Sequence, residues 1–351
     1  MPIVKDKSGK LASKDNYRPV ALASLISKVL EIVIFKRLED FIETGSNPFG
    51  FKKSHSTDMC IYTLKELISH YRKLGSNVYL CFLDASKAFD RVNHGKLFQK
   101  LINRGVPEYL VRILSYWYKQ QQMFVRWGNQ MSDGFTVTNG VRQGGILSPY
   151  LFNVYMDDLS IRLNRCRIGC YCGNIIINHL MYADDLVLIS PSSKGMSVLL
   201  EECNKYGLES DIKYNGQQSA IVVVENSKKN VCHPVFTLGG EIVERKEYVK
   251  YLGHIISRDL SDDLDIKRQL RCLYVQGNIL SRRFAHCSGI VKMQLFRSYC
   301  SAFYTANLWC NFKKGIMNRF VTAYNNVYRS IIGVPKYCSA SQMVASTNMP
   351  C

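Results

Sequence analysis

Long apolar runs are missing from this sequence. No stretch of 18 or more apolar residues occurs, so no membrane-crossing helix and no membrane partner are expected. The opening Met1-Pro-Ile-Val-Lys-Asp-Lys lacks the apolar run of a secretion signal. The expectation is a protein of cytoplasm and nucleus that is not secreted, with its cysteines as reduced thiols. Paired CxxC spacings are missing too. Cys166, Cys170, Cys172 and His179 therefore match no common zinc finger, and free thiols are the better reading. There is no internal repeat and no low-complexity segment, and nothing sets an oligomeric state. Acidic residues are absent from Ile266 to Cys351, where twelve Lys or Arg stand. A merely soluble face mixes both signs, so this tail reads as a surface for phosphates.

What is present fits a folded protein with a polyanionic partner. The chain has 351 residues, 47% hydrophobic and 21% charged, and a net charge of +18. That length suggests two or three units, and that charge points to nucleic acid. Leu30, Val33, Ile34, Leu38, Phe41 and Ile42 recur at helical spacing, and a second helix runs from about Thr57 to Tyr71. Val78-Tyr-Leu-Cys-Phe-Leu is an apolar strand ending at Asp84. Pro107 starts a helix, and residues 121–139 read as a hairpin turning near Gly128-Asn129. Ser148-Pro149 is a helix start with Ser as N-cap and Pro at the first position. Residues 175–183 and 186–189 read as two strands around Asp184-Asp185, and the pattern beyond Ser257 is helical. The order predicts an α+β core followed by a helical domain.

Three carboxylates carry the chemistry. Asp84 ends a buried strand, and Asp184 and Asp185 fill a turn between two others. Clustered carboxylates on a rigid frame repel one another unless a cation neutralises them. Hard oxygen ligands suit Mg²⁺, and two such ions about 3.5–4 Å apart serve phosphoryl transfer. By pattern alone, a solvated hairpin tip stays open.

Phe82-Leu-Asp-Ala-Ser-Lys-Ala-Phe-Asp90, Gly140-Val-Arg-Gln-Gly-Gly-Ile-Leu-Ser-Pro-Tyr-Leu-Phe152 and Tyr182-Ala-Asp-Asp185 occur in that order. Asn16-Tyr-Arg-Pro-Val, Phe49-Gly-Phe-Lys-Lys-Ser-His-Ser-Thr57 and Tyr251-Leu-Gly253 accompany them. Together they resemble reverse transcriptases, above all those of non-LTR (LINE-type) retrotransposons, over nearly the whole chain.

The resemblance implies a right-hand polymerase: fingers over 1–77 with 96–139 on the same side, an antiparallel-sheet palm over 78–256, and a truncated helical thumb over 257–351. It implies an RNA template, a DNA primer, an RNA/DNA hybrid and deoxynucleoside triphosphates as partners. The cofactor would be two Mg²⁺, with Mn²⁺ as the alternative ion. Asp84 and Asp184 would hold both ions, with Asp185 assisting. Phe89 would be the gate against a 2′-hydroxyl, beside Ala85. Arg142, Gln143 and Gly144 would line the nucleotide pocket, and Lys52 would meet the triphosphate. Tyr251, Leu252 and Gly253 would grip the primer, while Arg268, Arg271, Arg282 and Arg283 would follow the duplex backbone. Asp90, after the gate, reads as structural.

Two positions depart from the family. Lys52 stands where Arg is usual, so a bidentate fork is lost. Gln218 stands where a Lys is thought to protonate pyrophosphate; a general acid contributes about 10²–10⁴-fold. The nuclease domain and cysteine-histidine knuckle of complete elements are also not found. The alternative is a decayed, non-catalytic nucleic-acid-binding fragment. An RNA-dependent RNA polymerase is a further rival, disfavoured by Phe89, and a group II intron maturase another.

Overall fold

The computed structural model describes residues 2–4, 9–45, 47–52, 54–225 and 234–347. Two units divide it, Met1–Lys246 and Glu247–Cys351. The first opens with β1 (Pro2–Val4) and β2 (Tyr17–Pro19), paired antiparallel. Helix α1 (Leu25–Leu38) starts at Ser24, whose side chain accepts from the Ser27 amide. It buries Ile34 and Leu38 but leaves Leu30 and Val33 over 40% exposed, so only part of the expected stripe faces the core. Helix α2 (Thr57–Lys73) is capped the same way by Ser56.

Strand β3 (Val78–Ala85) is the centre of the unit. All six residues from Val78 to Leu83 are buried, because the sheet is covered on both faces, which erases alternation. A short helix α3 (Ala88–Arg91) follows, then α4 (His94–Asn103), which the sequence reading missed. Its signal was Asn93, whose side chain caps the Lys96 amide at 3.1 Å. Helix α5 (Glu108–Lys119) begins after Pro107. The 121–139 segment is a nested hairpin: β4 (Gln122–Met123) pairs with β7 (Phe135–Thr136), and β5 (Arg126–Trp127) with β6 (Gln130–Met131).

Helix α6 (Ser148–Arg165) buries Leu151, Phe152, Tyr155 and Leu159. Ser148 is not its N-cap: the helix starts at Ser148, Leu147 is the cap residue, and no side chain of the cap serves the end. The expected strand 175–183 is also split. β8 (Cys170–Cys172) and β9 (Ile175–Ile177) form a small hairpin, while β10 (His179–Tyr182) and β11 (Asp185–Ser190) enter the main sheet. The break falls at Asn178, which is buried and donates to the Leu163 carbonyl.

Helix α7 (Ser193–Glu209), strand β12 (Tyr214–Val224), and β13 (Phe236–Leu238) with β14 (Glu241–Arg245) complete the unit. Strand order in the sheet is β10-β11-β3-β12-β14-β13, antiparallel except for β12 beside β14. Helices α1, α4, α5, α6 and α7 pack one continuous core with it.

The second unit starts with β15 (Tyr248–Tyr251) and β16 (His254–Ser257), an antiparallel hairpin. Its turn residues Leu252 and Gly253 both have positive φ, 45° and 83°. Helices α8 (Asp263–Arg283), α9 (Gly289–Cys300), α10 (Lys314–Ile332) and α11 (Ala340–Thr347) follow. Leu273, Leu280, Phe296, Val327, Tyr328 and Ile331 form their core. Helices α8 and α10 approach closely at Gly277, where a Cβ would stand 2.3 Å from Val327.

Candidate active site

Strand pairing brings the three aspartates to one end of the sheet. Leu186 lies opposite Leu83 in the antiparallel β11–β3 pair. One step further along each strand stand Asp185 and Asp84, a hundred residues apart in sequence. Tyr182 pairs with Asp185, so Ala183 and Asp184 make a two-residue turn. Ala183 has φ +57°, a conformation that costs about 1–2 kcal/mol without glycine and is typical of strained functional turns.

The turn is held from behind. Phe49 N donates to Met181 O at 2.7 Å, and Met181 N to Asn47 O at 3.2 Å. Gly50 lies so close that a Cβ would sit 2.7 Å from the Ala183 nitrogen. Asn153, on α6, donates to the Gly50 carbonyl at 2.7 Å. The Phe49-Gly-Phe motif therefore buttresses the acidic turn.

Burial, then Asp184, then Asp84, push the Asp185 carboxyl up to about 6, opposed by Arg18. Asp184 is raised as well, by burial first and by Asp84. Both side chains still keep open surface. The three acids thus share one repulsive field, and Arg18 of the Asn16-Tyr-Arg motif reaches it. Its role was not assigned from sequence. Among the described residues, no three His, Cys, Asp or Glu side chains stand close enough to hold an ion together. The donor set is nonetheless all carboxylate and mutually repulsive, which fits a hard dication that would offset the repulsion.

Asp84 is framed on its other side by β12. Its amide donates to Ser219 Oγ at 3.1 Å, and Asn215 lies opposite it. Between Asn215 and Ala220 the strand bulges, with Asn215 Oδ1 accepting from the amides of Gln217 and Gln218. Gln218 is exposed on this bulge. Bulges of this kind re-aim side chains beside sites.

Phe89 stacks on Phe152, ring centres 4.3 Å apart and 11° from parallel. It is half-buried, so one face packs on the core. Ala85 is buried at the end of β3. The Arg142–Gly145 strip is tied down on several sides. Gln143 Nε2 donates to Asp90 Oδ1 at 2.9 Å, and its carbonyl accepts from the Ala21 amide at 2.9 Å. Gly144 has φ +103°, and a Cβ there would press the Ala21 carbonyl at 3.2 Å. Arg142 stacks over Trp117 at 4.7 Å and donates to Ser27.

Glu31, also missed from sequence, is 3% exposed. It accepts from the amides of Ile146 and Leu147 and lies 3.7 Å from Arg142. Its carboxylate thus fixes, from a distant helix, the chain that leads into α6.

Lys52 does not point freely at the acids: it donates to the Thr44 carbonyl at 2.9 Å and to that of Gly45. Burial lowers its pKa against the pull of Asp157 and Glu43.

In the second unit, Tyr304 donates to the Leu252 carbonyl at 2.9 Å and its ring packs on Gly253, while Tyr251 is buried. Arg271, Arg282 and Arg283 are exposed. Arg268 is not one of an outward band; Asp265, fully buried, holds its Nε at 2.8 Å.

Carboxylates at the ends of two central antiparallel strands, with a stacked aromatic bonded through its carbonyl to a glycine-bearing strip, are consistent with a right-hand polymerase. The family model described as reverse transcriptase (RNA-dependent DNA polymerase) matches residues 4–256. The chain belongs to the reverse transcriptase family. It is 30% identical to the Pol polyprotein of the type-2 retrotransposable element R2DM of Drosophila melanogaster, over 68% of this chain and 23% of that protein. It is 23% identical to the RNA-directed DNA polymerase of the mobile element jockey of Drosophila funebris, over 96% of this chain and 38% of that protein. An apo telomerase structure from Candida tropicalis overlays at TM-score 0.49 and 11% identity, covering 92% of this chain and 50% of that one. The chain thus spans from under a quarter to under two-fifths of those two curated relatives. Among its described residues no helix is long and apolar enough to cross a membrane.

Proposed function

We propose that this chain is the polymerase core of a non-LTR retrotransposon reverse transcriptase, extending a DNA primer on an RNA template with deoxynucleoside triphosphates. The observation that carries the reading is the convergence of Asp84, Asp184 and Asp185 at one sheet end, with Asp185 raised to about 6 by burial and by the other two. Two Mg²⁺, or Mn²⁺, held by these carboxylates would supply Lewis-acid charge for phosphoryl transfer. The rest falls to the protein's own groups. Arg18, the cation near the acids, meets the triphosphate charge. Lys52 joins it only by leaving the Thr44 and Gly45 carbonyls. Phe89, braced by Phe152, closes the floor under the sugar. Gln143 and Gly144 let backbone approach the new base pair. Tyr251, Leu252 and Gly253 grip the primer end, and the basic helices follow the duplex. Positioning carries most of the rate.

Gln218 favours a second reading, a nucleic-acid-binding fragment without turnover, because its neutral amide is far too weak an acid to protonate a leaving group. Primer extension on an RNA template with Mg²⁺ and deoxynucleotides, beside Asp184→Ala, separates the two. Products from the wild type alone support the polymerase. Template–primer binding without any product supports the fragment.

A further inference from the structure

The gate and the pocket strip, some fifty residues apart in sequence, are laid side by side as one body. Gly140 N donates to Val92 O at 2.7 Å, and Val141 N donates to Phe89 O at 2.8 Å. His94 Nε2 meets the Gly140 carbonyl at 2.7 Å, and Asn93 bridges Asn139 antiparallel. Gly140 has φ +92°, and a Cβ there would lie 2.9 Å from Asp90 Cα. Backbone hydrogen bonds thus fix where the strip runs. They do not fix how the Gln143 side chain is turned.

Asp90 does that. Its Oδ1 accepts from Gln143 Nε2 at 2.9 Å. An ionised carboxylate has no proton to donate, so only the NH₂ side of the Gln143 amide can face it. The carbamoyl oxygen is thereby turned away from Asp90. Without this partner the amide could flip, since its two ends are nearly the same size and differ only in hydrogen bonding. The bond joins the residue next to Phe89 directly to the pocket side chain.

We propose that Asp90 is a positioning residue for nucleotide selection: it locks the sense of the Gln143 amide and couples the pocket strip to the Phe89 gate. The inference rests on Gln143 belonging to the nucleotide pocket, and the test separates the two ideas. A hydrogen bond to a charged acceptor is among the stronger ones, so its loss should raise KM by about tenfold.

The experiment is a double-mutant cycle of Asp90→Ala and Gln143→Ala. Single-nucleotide addition is followed on a fixed template–primer, with KM for the deoxynucleotide, kcat, ribonucleotide discrimination and template–primer affinity all read. Asp90→Ala is expected to raise KM about tenfold while leaving template–primer affinity unchanged. In the Gln143→Ala background the same change should add little, because residues acting through one contact are not additive. Asp90→Asn keeps the side chain's size but adds an NH₂ that can pair with either end of the Gln143 amide, so it should share the raised KM of Asp90→Ala. It should also keep the thermal stability of the wild type, which guards against simple misfolding. If Gln143→Ala leaves KM and discrimination unchanged, the pocket reading fails. If Gln143→Ala changes them but Asp90→Ala does not, or adds its full factor in both backgrounds, Asp90 is no positioning residue. A wild-type KM in Asp90→Asn overturns the proposal as well.

Discussion

Replacing Asp185 by Asn should make the metal-free protein more stable near neutral pH, although it removes a catalytic carboxylate. Burial and two neighbouring acids raise Asp185 to about 6, roughly two units above an ordinary Asp, or about 3 kcal/mol if taken in full. The side chain keeps open surface, and solvent screening reduces that to roughly 1 kcal/mol. The sign follows from linkage. The folded state binds this proton more tightly than the unfolded chain does. Its contribution is complete below about pH 4 and is lost as pH rises through about 6. Wild-type protein without metal should therefore lose roughly 1 kcal/mol between about pH 4 and pH 7.5 relative to Asp185→Asn. In a thermal melt that is about 2–4 °C for a unit of this size. Adding Mg²⁺ should reverse the order. Metal at about 100 times its Kd stabilises the wild type by about 2.7 kcal/mol, while the variant, with one anionic ligand fewer, gains less. The measurement is a set of melting curves at both pH values with and without Mg²⁺. Parallel pH dependence in the two proteins, or equal stabilisation by Mg²⁺, would refute the shared repulsive field.

Three further outcomes are expected. Phe89→Val should raise ribonucleotide incorporation and leave deoxynucleotide use largely intact; an unchanged discrimination ratio would leave Phe89 as core packing on Phe152. Gly50→Ala should press the acidic turn, at a cost of about 1–3 kcal/mol, and lower kcat with template–primer affinity unchanged; wild-type kcat would mean that the 2.7 Å approach to Ala183 has no bearing on chemistry. Changing Arg271, Arg282 and Arg283 to Gln should flatten the salt dependence of template–primer binding by about 0.9 per lost phosphate contact, whereas Arg268→Gln should lower stability because it removes the guanidinium from the buried Asp265 and leaves it Trp309, Ile255 and His254; an unchanged slope in the triple variant withdraws the duplex-binding assignment.

The sequence showed the acids and the elements that carry them, because apolar strands, Asp-rich turns and short motifs are local signals. Asp84, Asp184 and Asp185 fall at strand ends as their apolar neighbours suggested. What was not legible depends on partners far away in the chain. Nothing local in Lys-Val-Leu-Glu-Ile marks Glu31 as the acceptor for amides 115 positions on. Ser148 looked like a cap by residue type but is the first residue of the helix itself. Arg268 is a different case, because Asp265 stands only three residues before it and that local pair was open to reading. The split at Asn178 was hidden by an unbroken apolar run, since a buried amide that ends a strand looks like any polar residue within it. Helix α4 could have been found: Asn93, followed by Leu97 and Leu101 at helical spacing, is an ordinary helix start.

The tie from Glu31 to Ile146 also sets a timetable for synthesis. At about 5–20 residues per second, the 115 residues between them take a ribosome roughly 6–23 s to make. Until then the acid lacks the two amides that it finally binds, and Leu25, Ile26 and Val29, more than half exposed even in the finished fold, stand in the open. The nascent chain should therefore be at its most aggregation-prone over this interval, and a translational pause between residues 38 and 146 would prolong the exposure while one after 165 would not.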